Sequence, residues 1–194
     1  MPHYYSNLIE AGCDEAGRGC LAGSVYAAAV ILPKDYDNPL LNDSKKLTEK
    51  RRKVLRDQIV RDAVSWAVGV VTPEEIDKIN ILNASFLAMH RALDQLTIRP
   101  EAVIVDGNRF NPYHDLPYTT IVKGDGKYQS IAAASILAKT TRDHRMDELD
   151  LRYPGYGFAK HKGYGVKEHI DAIKRLGVCP EHRKTFEPIA SILG

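Results

Sequence analysis

The feature that most restricts the fold is an early pair of short apolar runs, Leu8–Cys13 and Gly23–Leu32 (GSVYAAAVIL), separated by the glycine-rich stretch DEAGRGCLA. Runs this short and apolar read as strands, and the glycine turn between them signals a hairpin-like return. Ser65–Val71 is the next strand. Before it, Thr48 caps a helix with Val54, Leu55, Ile59 and Ala63 on one face. After it, Thr72-Pro73-Glu74-Glu75 is a capping box with proline at the first helical position, opening a helical region to about Leu96. Leu82, Phe86, Met89, Leu93 and Leu96 form its core-facing stripe. Ala102–Val105 and Tyr118–Val122 are two further strands. Ile131–Ala138 (IAAASILA) reads as the buried half of a helix that turns polar from Lys139 to about Arg152. A loop, PGYGFAKHKGYG, then leads to a helix from Val166 to about Leu176. Strands alternating with helices predict an α/β chain, and the early hairpin makes its sheet mixed.

The chain has 194 residues, 44% of them hydrophobic, enough to bury a core within one domain that includes a helical extension from about residue 153 to 194. No run is long and apolar enough to span a membrane, and the N-terminus lacks a signal-peptide layout, so the cytoplasm is the expected compartment. Cys13, Cys20 and Cys179 form no CxxC pair and read as free thiols. From Lys160 onward there are seven Lys/Arg against four Asp/Glu, a modest pointer to a polyanionic partner.

Acids gather where the strands stop. Asp14 and Glu15 follow the first strand, Asp106 the fourth (VDGN) and Asp125 the fifth (KGD). Asp106-Gly107 and Asp125-Gly126 are each ordinary turn dipeptides when taken alone. Asp14-Glu15 is different, because adjacent acids at a buried strand end cost desolvation without structural return. At the carboxyl ends of neighbouring strands such groups converge on the edge where α/β sheets bind ligands. Convergent carboxylates with no His or Cys among them suit a hard cation such as Mg²⁺, and that combination supports two-metal phosphodiester hydrolysis.

The blocks DEAGRGCLAG, NDSKKLT, VDGN, KGD, SIAAASILAKTTRD and HKGYG, in this order, resemble the ribonuclease HII (type 2 ribonuclease H) family from about Ile9 to Pro188. The resemblance implies a ribonuclease H-like fold, a mixed five-stranded sheet flanked by helices with a small helical C-terminal portion. It implies an endonuclease, dependent on Mg²⁺ or Mn²⁺, that cleaves RNA in RNA/DNA hybrids and incises DNA at single embedded ribonucleotides. The ends left are 5′-phosphate and 3′-hydroxyl. By the family pattern Asp14, Glu15, Asp106 and Asp125 are the catalytic metal-binding acids. Asp143, on the helix's polar half between Arg142 and Arg145, is the alternative fourth acid, although it also reads as a helix ion pair.

Gly17-Arg18-Gly19 resembles the loop that grips the ribonucleotide 2′-hydroxyl, where glycines let bare backbone approach the sugar. Tyr164 matches the tyrosine that contacts the same hydroxyl and stacks on the following deoxyribose. Arg18, Lys45, Lys46 and Lys123 are candidate phosphate contacts, with Ser44, Ser135, His161 and Lys162 behind them, and His169 reads as a surface or phosphate contact like His161. Cys20 and Gly165 stand where the family commonly has proline; the first is expected to loosen the GRG turn, the second to free the tyrosine loop. The last residues, SILG, show no sliding-clamp docking peptide, and a monomer is the default. Two other readings use the same scaffold: a nuclease acting on DNA alone, for which the GRG loop and tyrosine have no task, and a non-catalytic hybrid-binding module, which would not need the acids.

Overall fold

The computed structural model describes all 194 residues. Five strands form one sheet in the order β3-β2-β1-β4-β5: β1 Glu10–Ala16, β2 Val25–Ile31, β3 Ser65–Val71, β4 Ala102–Asp106 and β5 Tyr118–Ile121. β1 runs antiparallel to β2, with Gly12 opposite Val30 and Ala16 opposite Tyr26, and β2 antiparallel to β3. β4 and β5 are parallel to β1. The sheet is therefore mixed, and the early hairpin is its antiparallel part.

Period-two alternation assigns the two faces. Ala11 and Cys13 of β1 and Ala27 and Ala29 of β2 join Phe86, Met89 and Leu93 from helix α3 (Ile81–Asp94). Ala28 and Val30 instead meet Leu55 and Ile59 of α1 (Glu49–Asp62) and the run Ala132–Ala138 of α4 (Gln129–Arg152). Small residues make α4's approach possible: a Cβ on Gly12 would lie 2.4 Å from the Ser130 carbonyl carbon. A third cluster joins Met146 and Leu149, at the far end of α4, to Leu21 and Ala22 and to Phe158, Ile173 and Ile189. The C-terminal part thus packs directly on the chain that leaves the GRG turn.

Thr48 and the Thr72/Glu75 capping box cap their helices as the sequence predicts. Several boundaries differ. β1 extends through Ala16, so Asp14 and Glu15 lie inside the strand and not beyond it. The helical region expected to about Leu96 is made of two helices, α2 (Pro73–Ile79) and α3, which meet at Asn80; this residue adopts φ +68° and caps α3 with its side chain. Val54 is 51% exposed, so the buried face of α1 is Leu55 and Ile59 alone. The loop before Tyr164 contains a single helical turn, α5 (Phe158–His161); it is followed by α6 (Lys167–Leu176) and α7 (Ile189–Leu193). No helix is long and apolar enough to cross a membrane.

Candidate active site at the carboxyl edge of the parallel strands

Because β1, β4 and β5 are parallel, their carboxyl ends share one edge. Asp14 and Glu15 lie within one repeat of the pleat from the end of β1 at Ala16, Asp106 ends β4, and Asp125 sits in the short 3-10 turn Gly124–Gly126 that follows β5. Strand alternation sends Asp14 toward α4 and Glu15 toward α3. Accordingly Glu15 and Asp106 border a 290 Å³ hollow with Phe86 and Met89 of α3, and both also border a 360 Å³ hollow with Asp14. Asp106 accepts a 2.7 Å hydrogen bond from the Gly124 amide, which ties the end of β4 to the Asp125 turn.

These acids are held uncomfortably. Asp14 is buried, and burial followed by repulsion from Glu15 and Asp106 raises its pKa well above the usual carboxylate range. Burial also raises Glu15, against the pull of the Arg18 guanidinium 3.8 Å away. Asp125, buried too, is pushed up to about 6 by burial, by Asp106 and by Asp43. Repulsion of this kind is what a bound cation relieves, and the donors are all hard oxygens. No three His, Cys, Asp or Glu side chains close into a cage on their own, so an ion here would draw the rest of its shell from water and ligand oxygens. The residues fit a divalent cation of the magnesium type.

The raised pKa values carry a stability consequence. A carboxylate whose folded pKa lies above its unfolded value contributes stability that is fully present below the unfolded value, near 3.8 for Asp125, and is lost as pH rises through about 6. In chelator, Asp125→Asn is therefore expected to melt above the wild type at pH 7.5, with the gap closing as pH falls to about 4. Added Mg²⁺ should reverse the order at pH 7.5. Calorimetry checks this, and a gap independent of pH would contradict it.

The 360 Å³ hollow brings together Asp14, Glu15 and Asp106 with Gly17, Arg18, Gly19, Ser44, Lys45, Ser135, Lys139 and Tyr164. Ser135 donates to Ser44 at 2.8 Å. Gly17 has φ +88°, and a Cβ there would fall 2.0 Å from Nε of Arg142, whereas Gly19 is open on all sides. Arg142 is fully buried and can yield only by losing hydrogen bonds, because it donates to the carbonyls of Ser24, Ala22 and Lys162 at 3.1, 2.9 and 2.7 Å. Tyr164 is 42% exposed at the mouth, with its hydroxyl beside the buried Cys20 thiol. Cys20 does not simply loosen the turn: its amide donates a long 3.5 Å bond to the Gly17 carbonyl, which proline could not make.

Other candidates lie elsewhere. Lys46 and Lys123 are exposed and line neither hollow. His161 and His169 are buried, which corrects their reading as surface or phosphate contacts. Nδ1 of His161 accepts from the Gly163 amide and its Nε2 meets the Tyr156 carbonyl at 2.7 Å, so neither nitrogen is free. Lys162 is paired with Asp147. Asp143 is in ion pairs with Lys139 at 2.8 Å and Arg52 at 4.0 Å. Neither it nor Asp125 lines the 360 Å³ hollow, but Asp125 is near enough to Asp106 and Asp14 for their charges to repel, whereas the charge of Asp143 is met by its two cations.

Sequence reasoning missed Lys139 and Asp43. Lys139 is the first polar residue after the apolar run of α4, between Asp143 and the Tyr164 ring, 5.9 Å from its centroid. Asp43 caps the short turn Ser44–Lys46 and stands beside Asp125; the NDSKKLT block was its only signal.

The family model for ribonuclease HII matches residues 11–188. A ribonuclease HII of Bacteroides thetaiotaomicron is 66% identical over 186 residues, 96% of this chain and 93% of the relative. Among solved structures, the ribonuclease H2 of Pyrococcus horikoshii OT3 superposes with a TM-score of 0.79 at 28% identity, covering 94% of this chain and 96% of that one. Bst-RNase HIII in complex with Mn²⁺ shares the fold alone, with a TM-score of 0.75 at 20% identity over 100% of this chain and 73% of that one.

Proposed function

The chain belongs to the ribonuclease HII family of metal-dependent endonucleases acting on RNA/DNA hybrids, and from that premise we propose that it also incises duplex DNA on the 5′ side of a single ribonucleotide. The supporting observation is that Gly17–Gly19 and Tyr164 border the same hollow as Asp14, Glu15 and Asp106. In this reading chemistry and sugar selection share one hollow.

In this reading Asp14, Glu15, Asp106 and Asp125 hold two Mg²⁺ or Mn²⁺ ions. When bound, such ions lower the pKa of an attacking water and neutralise charge on the leaving oxygen. No protein nucleophile is then needed, and the products carry 5′-phosphate and 3′-hydroxyl ends. Lys45, Lys139 and Arg18, with Ser44 and Ser135, take the phosphates flanking the cut and supply salt-sensitive affinity. Bare backbone at Gly17–Gly19 and the Tyr164 hydroxyl meet the 2′-hydroxyl, which is both donor and acceptor. A monomer working in the cytoplasm suffices for this, and all three thiols are free and buried, as suits a reducing compartment.

The test sets three duplexes side by side, with and without Mg²⁺: all-DNA, RNA/DNA hybrid, and DNA with one ribonucleotide. We expect Mg²⁺-dependent cutting of the last two, a single nick 5′ of the ribonucleotide, and an intact all-DNA duplex. Comparable nicking of all-DNA would favour the DNA-only nuclease, and a single-ribonucleotide duplex left uncut would overturn the reading.

A further inference from the structure

Arg183 is fully buried and meets no carboxylate. Its guanidinium instead donates to three carbonyls of the GRG turn and its continuation: Gly17 at 2.6 Å, Arg18 at 2.9 Å and Gly23 at 3.0 Å. For packing alone an apolar side chain of similar size would serve as well, since a buried charge brings a desolvation penalty. What an apolar group lacks is the planar fork that fixes several acceptors at once. The peptide plane carries the effect further. With the Gly17 and Arg18 carbonyls turned onto Arg183, the amides that follow, of Arg18 and Gly19, point the other way, and neither donates to a backbone carbonyl.

The preceding residue acts on the opposite wall. Nδ1 of His182 accepts from the Cys179 amide at 2.9 Å, so its proton sits on Nε2, which lies 3.1 Å from Nε2 of His169. That leaves the His169 proton on Nδ1, donating to the Tyr164 carbonyl at 2.9 Å. Burial pushes both imidazoles down to about 4, so both are neutral near pH 7. Backbone contacts complete the hook: His182 bridges Ala22, and the Arg183 amide donates to the Leu21 carbonyl at 2.9 Å.

We propose that His182 and Arg183 are positioning residues that set the GRG turn and the Tyr164 loop against each other, and so fix the width of the ribose-reading gap. The inference rests on the reading of that hollow as the ribose site. Neither side chain reaches the hollow itself, so they act through the loops they hold.

Two variants test it. Arg183→Lys keeps the charge and removes the fork. Asp77→Ala loosens the same hook from outside, because the Asp77 carboxylate accepts from the amides of Lys184 and Thr185 at 2.9 and 3.1 Å and from the Thr185 hydroxyl at 2.6 Å. On the single-ribonucleotide duplex we expect kcat per folded molecule to fall ~30-fold in the first and ~3-fold in the second, with KM within ~2-fold of wild type. Unchanged kcat per folded molecule in both, with any lost rate tracking lost folded protein, overturns the positioning role. Should Arg183→Lys fail to fold, Asp77→Ala decides by the same criterion. The wild-type lanes judge the ribose reading separately: a wild type that cuts all-DNA equally well defeats that reading, whereas a selective wild type with unaffected variants defeats only the positioning role.

Discussion

Asp14→Asn is expected to lower the single-turnover rate on both hybrid and single-ribonucleotide duplex by at least ~10³-fold, a loss of about 4 kcal/mol in transition-state stabilisation. The substitution is nearly isosteric, and an Asn oxygen can still accept the 2.7 Å bond that Asp14 takes from the Glu15 amide. What disappears is one negative charge at the centre of the cluster, on a carboxyl that burial and then repulsion from Glu15 and Asp106 raise well above the usual carboxylate range. Duplex affinity, which phosphate contacts carry, should persist. In chelator the variant should also melt higher than wild type near neutral pH, because a buried, repelled carboxylate has gone. Cleavage assays paired with filter binding check the first pair of outcomes. Wild-type turnover in this variant would remove Asp14 from the reaction.

Gly17→Ala is expected to do comparable harm by a different route. The φ of +88° costs a residue with a Cβ roughly 1–2 kcal/mol, and the new methyl would overlap the Arg142 guanidinium. Arg142 is enclosed and holds three carbonyls, so it can move only by giving up charged hydrogen bonds of about 1.5–3 kcal/mol each. Destabilisation of about 3–5 kcal/mol should follow in urea titrations. Below the melting point, incision of the single-ribonucleotide duplex should fall ~100-fold through the displaced turn. Gly19→Ala is the matched control, because a Cβ at Gly19 meets nothing within 4 Å. If Gly17→Ala and Gly19→Ala behave alike in stability, the contact with Arg142 is not what demands glycine at 17.

Much of the scaffold was readable because its signals are local. The apolar runs of β1, β2 and β4, the Thr72 capping box and the buried half of α4 follow from periodicity and propensity within a few residues. Asn80 shows where such reading slips: the stripe of α3 continues smoothly backwards, and only a side-chain cap at a left-handed residue breaks it. The acids were legible because they sit at strand ends that parallel pairing must bring together. His161 was misjudged because its glycine-rich, basic neighbours suggest surface, while its burial comes from packing against Phe158 and His169.

By itself, then, the sequence determined the mixed sheet, the helix that covers it and the acids at the shared edge. Each of these is decided by neighbours along the chain and by the two-residue and 3.6-residue periods of strand and helix. The tertiary structure alone decided which face each acid takes, which lysines reach the hollow and what holds the GRG turn. Its Gly17 carbonyl is gripped by Arg183, 166 residues away in the chain. A buried polar group must find its partner wherever packing places one, and no local pattern announces a partner brought from the other end of the molecule.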